Sequence, residues 1–300
     1  MSALKQKLRR LKRRIVPPST PISGESYLFM TLDSLRYDVF ERAEAPFLKS
    51  LGVWKRACSP ASYTFPAHMS FFMGKLPQSL DETPLYDSVA TRVDDAGKAR
   101  RGQNLWRVTT PEAVRAAEDC VTGSNLIEGF GRAGYRTIGS GAMNWFNVHL
   151  AAGQYLTRSF DRFGFFGTKT HGLRTGAAKQ VGWIIDEVAK TDRPYFAFAN
   201  LGETHHYFEY DGCPWQGEGD PYGDREKCLD RQTACLEHLD GHVRRLVETI
   251  RPHRIVICGD HGEALGEDGL WGHGFSHPSV MEVPMLINLD LVAMGSSSSA

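Results

Sequence analysis

The sequence predicts an α/β domain with a mostly parallel sheet and helices on both faces. Two observations carry that expectation: short apolar, β-rich runs recur along the chain, and helical patterns fall between them. A linker over residues 17–26 (PPSTPISGES), where Pro, Ser and Gly recur without a period, precedes the first run. Tyr27–Leu32 is a short apolar, β-rich run, as expected of a strand buried on both sides. A short apolar helix is expected between Pro66, suited to a first turn, and Gly74, suited to a position just past the last. Residues 78–110 are polar, carry Arg100-Arg101-Gly102 and read as a long surface excursion. Helices follow over Pro111–Asp119 and Ser124–Arg132, the second closed by Gly134. Next come a strand at Tyr135–Gly139, a helix at Thr175–Lys190 and a strand at Tyr195–Leu201. A second excursion, 207–224, rich in Tyr, Gly and Pro, leads into a long helix at Arg225–Ile250. Strands at Ile255–Cys258 and Val283–Leu289 complete the pattern, and the tail Gly295–Ala300 (GSSSSA) is low in complexity. The expected organisation is a basic segment and linker over 1–26, a catalytic domain over 27–292 and a disordered tail over 293–300.

Composition narrows the function classes. With 41% hydrophobic and 23% charged residues, the chain is ordinary globular protein, and neither a disordered nor a collagenous class fits. Formal charge is zero, yet Lys5, Lys7, Arg9, Arg10, Lys12, Arg13 and Arg14 crowd the first 14 residues without an acid. Removing those +7 leaves residues 15–300 at −7, a poor surface for a nucleic-acid backbone. Leu8, Leu11 and Ile15 give the head an amphipathic pattern suited to an acidic membrane surface or a polyanion over residues 1–16. Behind it stands Ile15-Val16-Pro17-Pro18, too short and too broken for a secretory signal. No run approaches the roughly 18 apolar residues of a transmembrane helix. Cys58, Cys120, Cys213, Cys228, Cys235 and Cys258 lack metal-site spacing, and reduced thiols in a cytoplasmic, at most membrane-peripheral, protein are the simplest expectation. A Cys213–Cys228 bridge across the second excursion is the alternative.

In parallel sheets ligands bind beyond the carboxyl ends of the strands, so the polar residues there are the candidates. Asp33 follows the first strand, and Asp260-His261 follows Ile255–Cys258 between Gly259 and Gly262. Carboxylate oxygen plus imidazole suits Zn2+ or Mn2+ better than Ca2+. Thr64 stands at the mouth of the short helix, where a divalent ion and the helix dipole favour its alkoxide. An N-cap is the plain alternative for it. Glu203-Thr204-His205-His206-Tyr207 follows another strand, and either histidine suits a ligand role. Arg36, Lys75 and Lys169 are candidate oxyanion contacts, with surface or structural roles the simpler reading of each, and His277 is a candidate pocket residue. His238 and His242 are spaced i, i+4, as in half a zinc site, although a helical face explains Asp240 and His242 more simply. Trp106, Tyr207, Tyr210, Trp215 and Tyr222 are candidates to stack on an aromatic or sugar group.

These residues resemble the signature of the alkaline phosphatase superfamily, in its sulfatase-like branch with phosphodiesterases and phosphoethanolamine transferases. That signature is an Asp after the first strand, a nucleophile in a [T/S/C]-x-P-[A/S]-[H/R]-x(5)-G-x-x-P frame and a late [G/S]-D-H-G-E. Here it reads Asp33, then Thr64 to Pro77, then Gly259–Glu263, in order. The stretch Gly259–Gly274 is similar to the transferase pattern without a gap and implies a metal- or substrate-binding role for His273. Cys58-Ser59-Pro60-Ala61-Ser62 mimics a sulfatase motif, but only Thr64 brings the frame to Gly74 and Pro77. The resemblance implies a three-layer sandwich without the usual C-terminal subdomain, and one or two divalent ions, Zn2+ first and Mn2+ or Ca2+ next. It implies Asp33, Thr64, Asp260, His261, His205 and His273 as metal ligands, with Thr64, His205 and His273 catalytic. His68, replacing the sulfatase arginine, joins Lys75 and His206 as candidate substrate contacts.

Because Thr64 cannot mature to formylglycine, the resemblance favours hydrolysis of phosphate ester, phosphodiester or phosphonate ester bonds in a small anionic substrate. A sulfuric ester hydrolase working without formylglycine and a phospho-group transferase are the enzymatic alternatives. A membrane- or RNA-binding protein acting through the basic head is the non-enzymatic one.

Overall fold

The computed structural model describes residues 24–74, 76, 125–167 and 176–289. The basic head, Lys75, the excursion at 78–110, the expected helix Pro111–Asp119, Cys120, Lys169 and the 295–300 tail lie outside these residues.

Strands β1 (Tyr27–Leu32), β2 (Trp54–Cys58), β3 (Arg136–Gly141), β4 (Arg162–Phe165), β5 (Tyr195–Leu201) and β6 (Arg254–Gly259) join β9 (Glu282–Asn288) in a seven-stranded sheet. Its order is β2-β9-β6-β1-β5-β3-β4, while β7 (Ala264–Leu265) and β8 (Trp271–Gly272) pair separately. β6, β1, β5, β3 and β4 are parallel neighbours. β9 runs antiparallel to both β6 and β2, so it alone opposes the common direction.

Strand alternation divides the core into two layers. Leu28, Met30 and Leu32 of β1, with Ala197, Ala199 and Leu201 of β5, pack with Leu236, Leu239, Val243 and Leu246. Those four belong to the long helix Arg225–Ile250, and Ala197 and Ala199 are small enough to let that layer approach. Phe29, Phe196 and Phe198 point the other way, against Phe65, Met69, Phe72, Ile127 and Leu156. Helices α1 (Tyr37–Arg42), α2 (Pro46–Ser50), α6 (Gly176–Val188) and α7 (Arg225–Ile250) cover the first face. The second is covered by α3 (Thr64–Met73), α4 (Leu126–Arg132) and α5 (Ala151–Thr157). One further turn, α8 (Pro278–Met281), leads into β9.

Local signals set these elements. Asp224 caps α7 by accepting from the Lys227 amide at 3.1 Å, and Asn125 caps α4 by accepting from Glu128 at 2.8 Å. Gly74 closes α3 in the left-handed conformation, φ 63°. The helix begins earlier than the sequence suggests, with Tyr63 as its N-cap and Thr64 inside the first turn. β2 and β4 had no place in the apolar pattern because both are short, partly exposed edge strands. The five described cysteines are free thiols, so Cys213 and Cys228 are not bridged.

Candidate active site

Three central strands, β6-β1-β5, deliver their carboxyl ends to one place. Asp33 leaves β1 with its amide bonded to the Leu201 carbonyl at 2.9 Å. Asn200 Nδ2 donates to Asp33 Oδ2 at 3.0 Å, and Thr204 Oγ1 donates to the Asp33 carbonyl at 2.7 Å. From α7, Gln232 Nε2 donates to the carbonyls of Ser34 and Thr204, at 2.9 and 2.8 Å, locking the β1 and β5 loops together. Ser34 takes φ 58°, which turns its amide onto Asp260 Oδ1 at 3.1 Å.

Asp33, Asp260 and His261 are fully buried, and their ligand atoms lie within 4.8 Å of one another. His261 Nδ1 donates to the Gly262 carbonyl at 2.9 Å, which presents Nε2 to Asp33 Oδ1 at 3.8 Å and Asp260 Oδ2 at 3.7 Å. Asp260 Oδ2 is buried without a hydrogen-bond partner. An orphaned carboxylate oxygen in such a place is costly unless a cation answers it. Burial and the charge of Asp33 push Asp260 well above the usual carboxylate range, while burial and the neighbouring His273 push His261 down to about 3. An unprotonated imidazole between two crowded carboxylates is the donor set of a divalent transition metal, and the residues fit one.

Thr64 Oγ1 lies 3.3 Å from His261 Nε2, buried, with no side-chain capping bond at Tyr63. Its hydroxyl therefore faces the ligand set and leaves the helix backbone to the turn itself. His68, expected at the substrate, is instead enclosed behind Thr64. One helical turn on, its Nδ1 donates to the Thr64 carbonyl at 2.7 Å and its Nε2 accepts from Thr31 Oγ1 at 2.9 Å. Phe71, Phe72, Phe146 and Phe198 surround the ring, and burial pushes it down to about 4, the neutral form. The mimic motif holds the loop: Ser59 Oγ donates to the Asp260 carbonyl, and the Ser59 amide donates to Met281 at 2.8 Å.

The two adjacent histidines diverge. His205 Nδ1 donates to the His206 carbonyl at 2.9 Å, and its ring lies 5.3 Å from that of His273, itself 4.5 Å from His261. His206 turns outward to Asp220 Oδ1 at 2.8 Å and packs on Tyr222. His273 Nδ1 donates to Glu263 Oε2 at 2.9 Å.

Other candidates have structural partners. The Arg36 guanidinium is bonded to Asp38, Glu267 and the Glu263 carbonyl, away from any oxyanion. His277 caps α8. Asp240 accepts from the Phe47 and Leu48 amides at 3.2 and 2.7 Å, so this helical face packs on α2. His238 and His242 face each other at 3.1 Å, with Tyr210 stacked on His238. Sequence reasoning missed Asn200, Gln232 and Glu263: the first two sit inside apolar periodic segments, and Glu263 was legible only as a member of G-D-H-G-E.

Comparisons with known proteins bear on the family and the fold. The sulfatase family model matches residues 103–289, more than half of the chain. No curated protein gives a match. The C-terminal periplasmic domain of EptC from Escherichia coli, in a complex with Zn, superposes with TM-score 0.58 at 13% identity over 92% of this chain and 77% of that one. The phosphonate monoester hydrolase of Agrobacterium radiobacter gives 0.55 at 13%, over 89% and 68%. Lipooligosaccharide phosphoethanolamine transferase A (EptA) from Neisseria meningitidis gives 0.52 at 13%, over 94% of this chain and 53% of that one. Among the described residues no helix is long and apolar enough to cross a membrane. The family match over more than half of the chain places this protein in the sulfatase family, and the mostly parallel sheet is in keeping with it.

Proposed function

We propose that the protein is a metal-dependent hydrolase of phosphate ester, phosphodiester or phosphonate ester bonds, with Thr64 as covalent nucleophile. The observation that carries this reading is the Thr64 hydroxyl, 3.3 Å from His261 Nε2, which is itself 3.7 Å from the unpartnered Asp260 Oδ2. Asp33, Asp260 and His261 would hold a divalent ion, Zn2+ foremost, which supplies charge to polarise the phosphoryl group and favour the Thr64 alkoxide. Thr64 attacks phosphorus in line, and a phosphothreonine forms as the ester oxygen departs. His205 or His273 delivers the proton to that oxygen, and water then releases the group. The amide end of α3 stabilises the developing negative charge.

Thr64→Ala is expected to lower turnover of aryl phosphate diesters and phosphonates by at least ~10³-fold while metal binding persists. Retention of full activity overturns the assignment. A parallel rate panel with aryl sulfate, phosphate monoester, diester and phosphonate tests the sulfatase alternative. The structural likeness to phosphoethanolamine transferases supports a second reading, transfer to an acceptor alcohol. Added alcohols then raise total turnover above hydrolysis. The basic residues of 1–14 suit a tether to an acidic surface of a cytoplasmic enzyme; deleting 1–16 removes vesicle binding and spares hydrolysis if so.

A further inference from the structure

We infer that Glu263 and Tyr222 are a positioning pair that sets the imidazole of His273 for proton delivery to the departing oxygen; this rests on the phosphoryl-transfer reading above. Glu263 is fully buried, and each of its oxygens has a donor: His273 Nδ1 at 2.9 Å on Oε2, and the Tyr222 hydroxyl on Oε1. With both oxygens committed, the carboxylate cannot rotate. Its backbone is held as well, the amide by Ser279 at 3.0 Å and the carbonyl by Arg36 Nη1 at 2.8 Å. Both oxygens accept and neither donates, which is the bonding pattern of a carboxylate.

Enclosing a carboxylate for packing alone is unfavourable, since an apolar side chain of similar volume fills the space without a desolvation penalty. What the carboxylate does supply is a fixed tautomer and tilt of the imidazole. Nδ1–H of His273 is directed to Glu263, and the chemistry of the ring falls to Nε2. Tyr222 extends the arrangement outward. It comes from the 207–224 segment, and its ring lies 3.8 Å from that of His206, which Asp220 holds at 2.8 Å. A continuous set of contacts therefore joins an exposed loop to the reacting centre.

The step balances as follows in the first half-reaction. The Thr64 hydroxyl proton leaves to solvent, the bond from Thr64 Oγ1 to phosphorus forms, and the bond from phosphorus to the ester oxygen breaks. That oxygen takes its proton from Nε2 of the His273 imidazolium. In the second half, water gives a proton back to Nε2 as it attacks phosphorus, and Thr64 departs and regains a proton from solvent.

Tyr222→Phe keeps the ring and removes only the hydroxyl; Glu263→Gln keeps the shape and removes the charge. Both are assayed on phenyl and 4-nitrophenyl esters of the same phosphoryl group. The poorer leaving group needs the proton more, so kcat falls about tenfold on the phenyl ester and about twofold on the 4-nitrophenyl ester in Tyr222→Phe. Glu263→Gln gives a larger loss with the same bias, and KM moves little. Equal losses on both esters, or none in either variant, overturn the pair, because a packing role does not sense the leaving group. If Thr64→Ala is silent the reaction itself is misread, whereas an inactive Thr64→Ala with unbiased Tyr222→Phe removes only this inference.

Discussion

Asp33 holds a position set by three donors that are not themselves ligands. Asn200 grips one carboxylate oxygen, Thr204 the carbonyl, and Gln232 the adjoining loop backbones. Such supports tune a metal ligand nearly as much as its own identity does. Asn200→Ala should therefore weaken Zn2+ binding by ~10–100-fold, read by competition with a chromogenic chelator, while the circular dichroism spectrum is retained. Unchanged affinity would show that Asp33 is fixed without it. The candidate ligands were legible because Asp33 and Asp260-His261 follow directly on apolar runs. Asn200 was not, since it lies within the run Tyr195–Leu201 and its partner is 167 positions away. No periodicity in one chain reports a pairing of that separation.

At the level of elements, the sequence displayed strands buried on both faces and hid those at the edges. β5 is buried at every position and stood out, whereas β2, WKRAC, mixes exposed and half-buried residues and has no apolar signature. The β7–β8 ribbon was equally silent, and a charge cluster holds it. Glu267 accepts from the Leu265 amide at 2.6 Å and pairs with Arg36 at 2.8 Å and Arg225 at 3.2 Å, joining the ribbon to the loop after β1 and the start of α7. Burial pushes this carboxyl up, but Arg36 and the Leu265 amide overcome it and hold it at about 2, below the ordinary 4.5. The unfolded chain therefore takes up this proton first as pH falls. Stabilisation by Glu267 is full above pH 4.5 and is lost towards pH 2. Glu267→Gln should cost about 1 kcal/mol at pH 7, after solvent screening. In urea titrations the gap to the wild type should shrink below pH 4.5, and a gap independent of pH would assign the loss to packing.

For the whole molecule, the cost of crowding Asp33 and Asp260 in a dry site is one that a bound cation removes. Zn2+ at 100 times its Kd should add ~2.7 kcal/mol to stability and raise Tm by roughly 5–10 °C. Chelation should reverse the shift, and a Tm indifferent to both would argue against the site. The sheet order has a further consequence, for how the chain is made. β1 is the middle of the sheet, yet its neighbours β5 and β6 begin at Tyr195 and Arg254. On a ribosome adding ~5–20 residues per second, the apolar stretch Tyr27–Leu32 waits roughly 10–30 s for its first partner. The strand at the centre of the fold is therefore paired late, and its apolar side chains stay without their sheet neighbours until the second half of the chain is made.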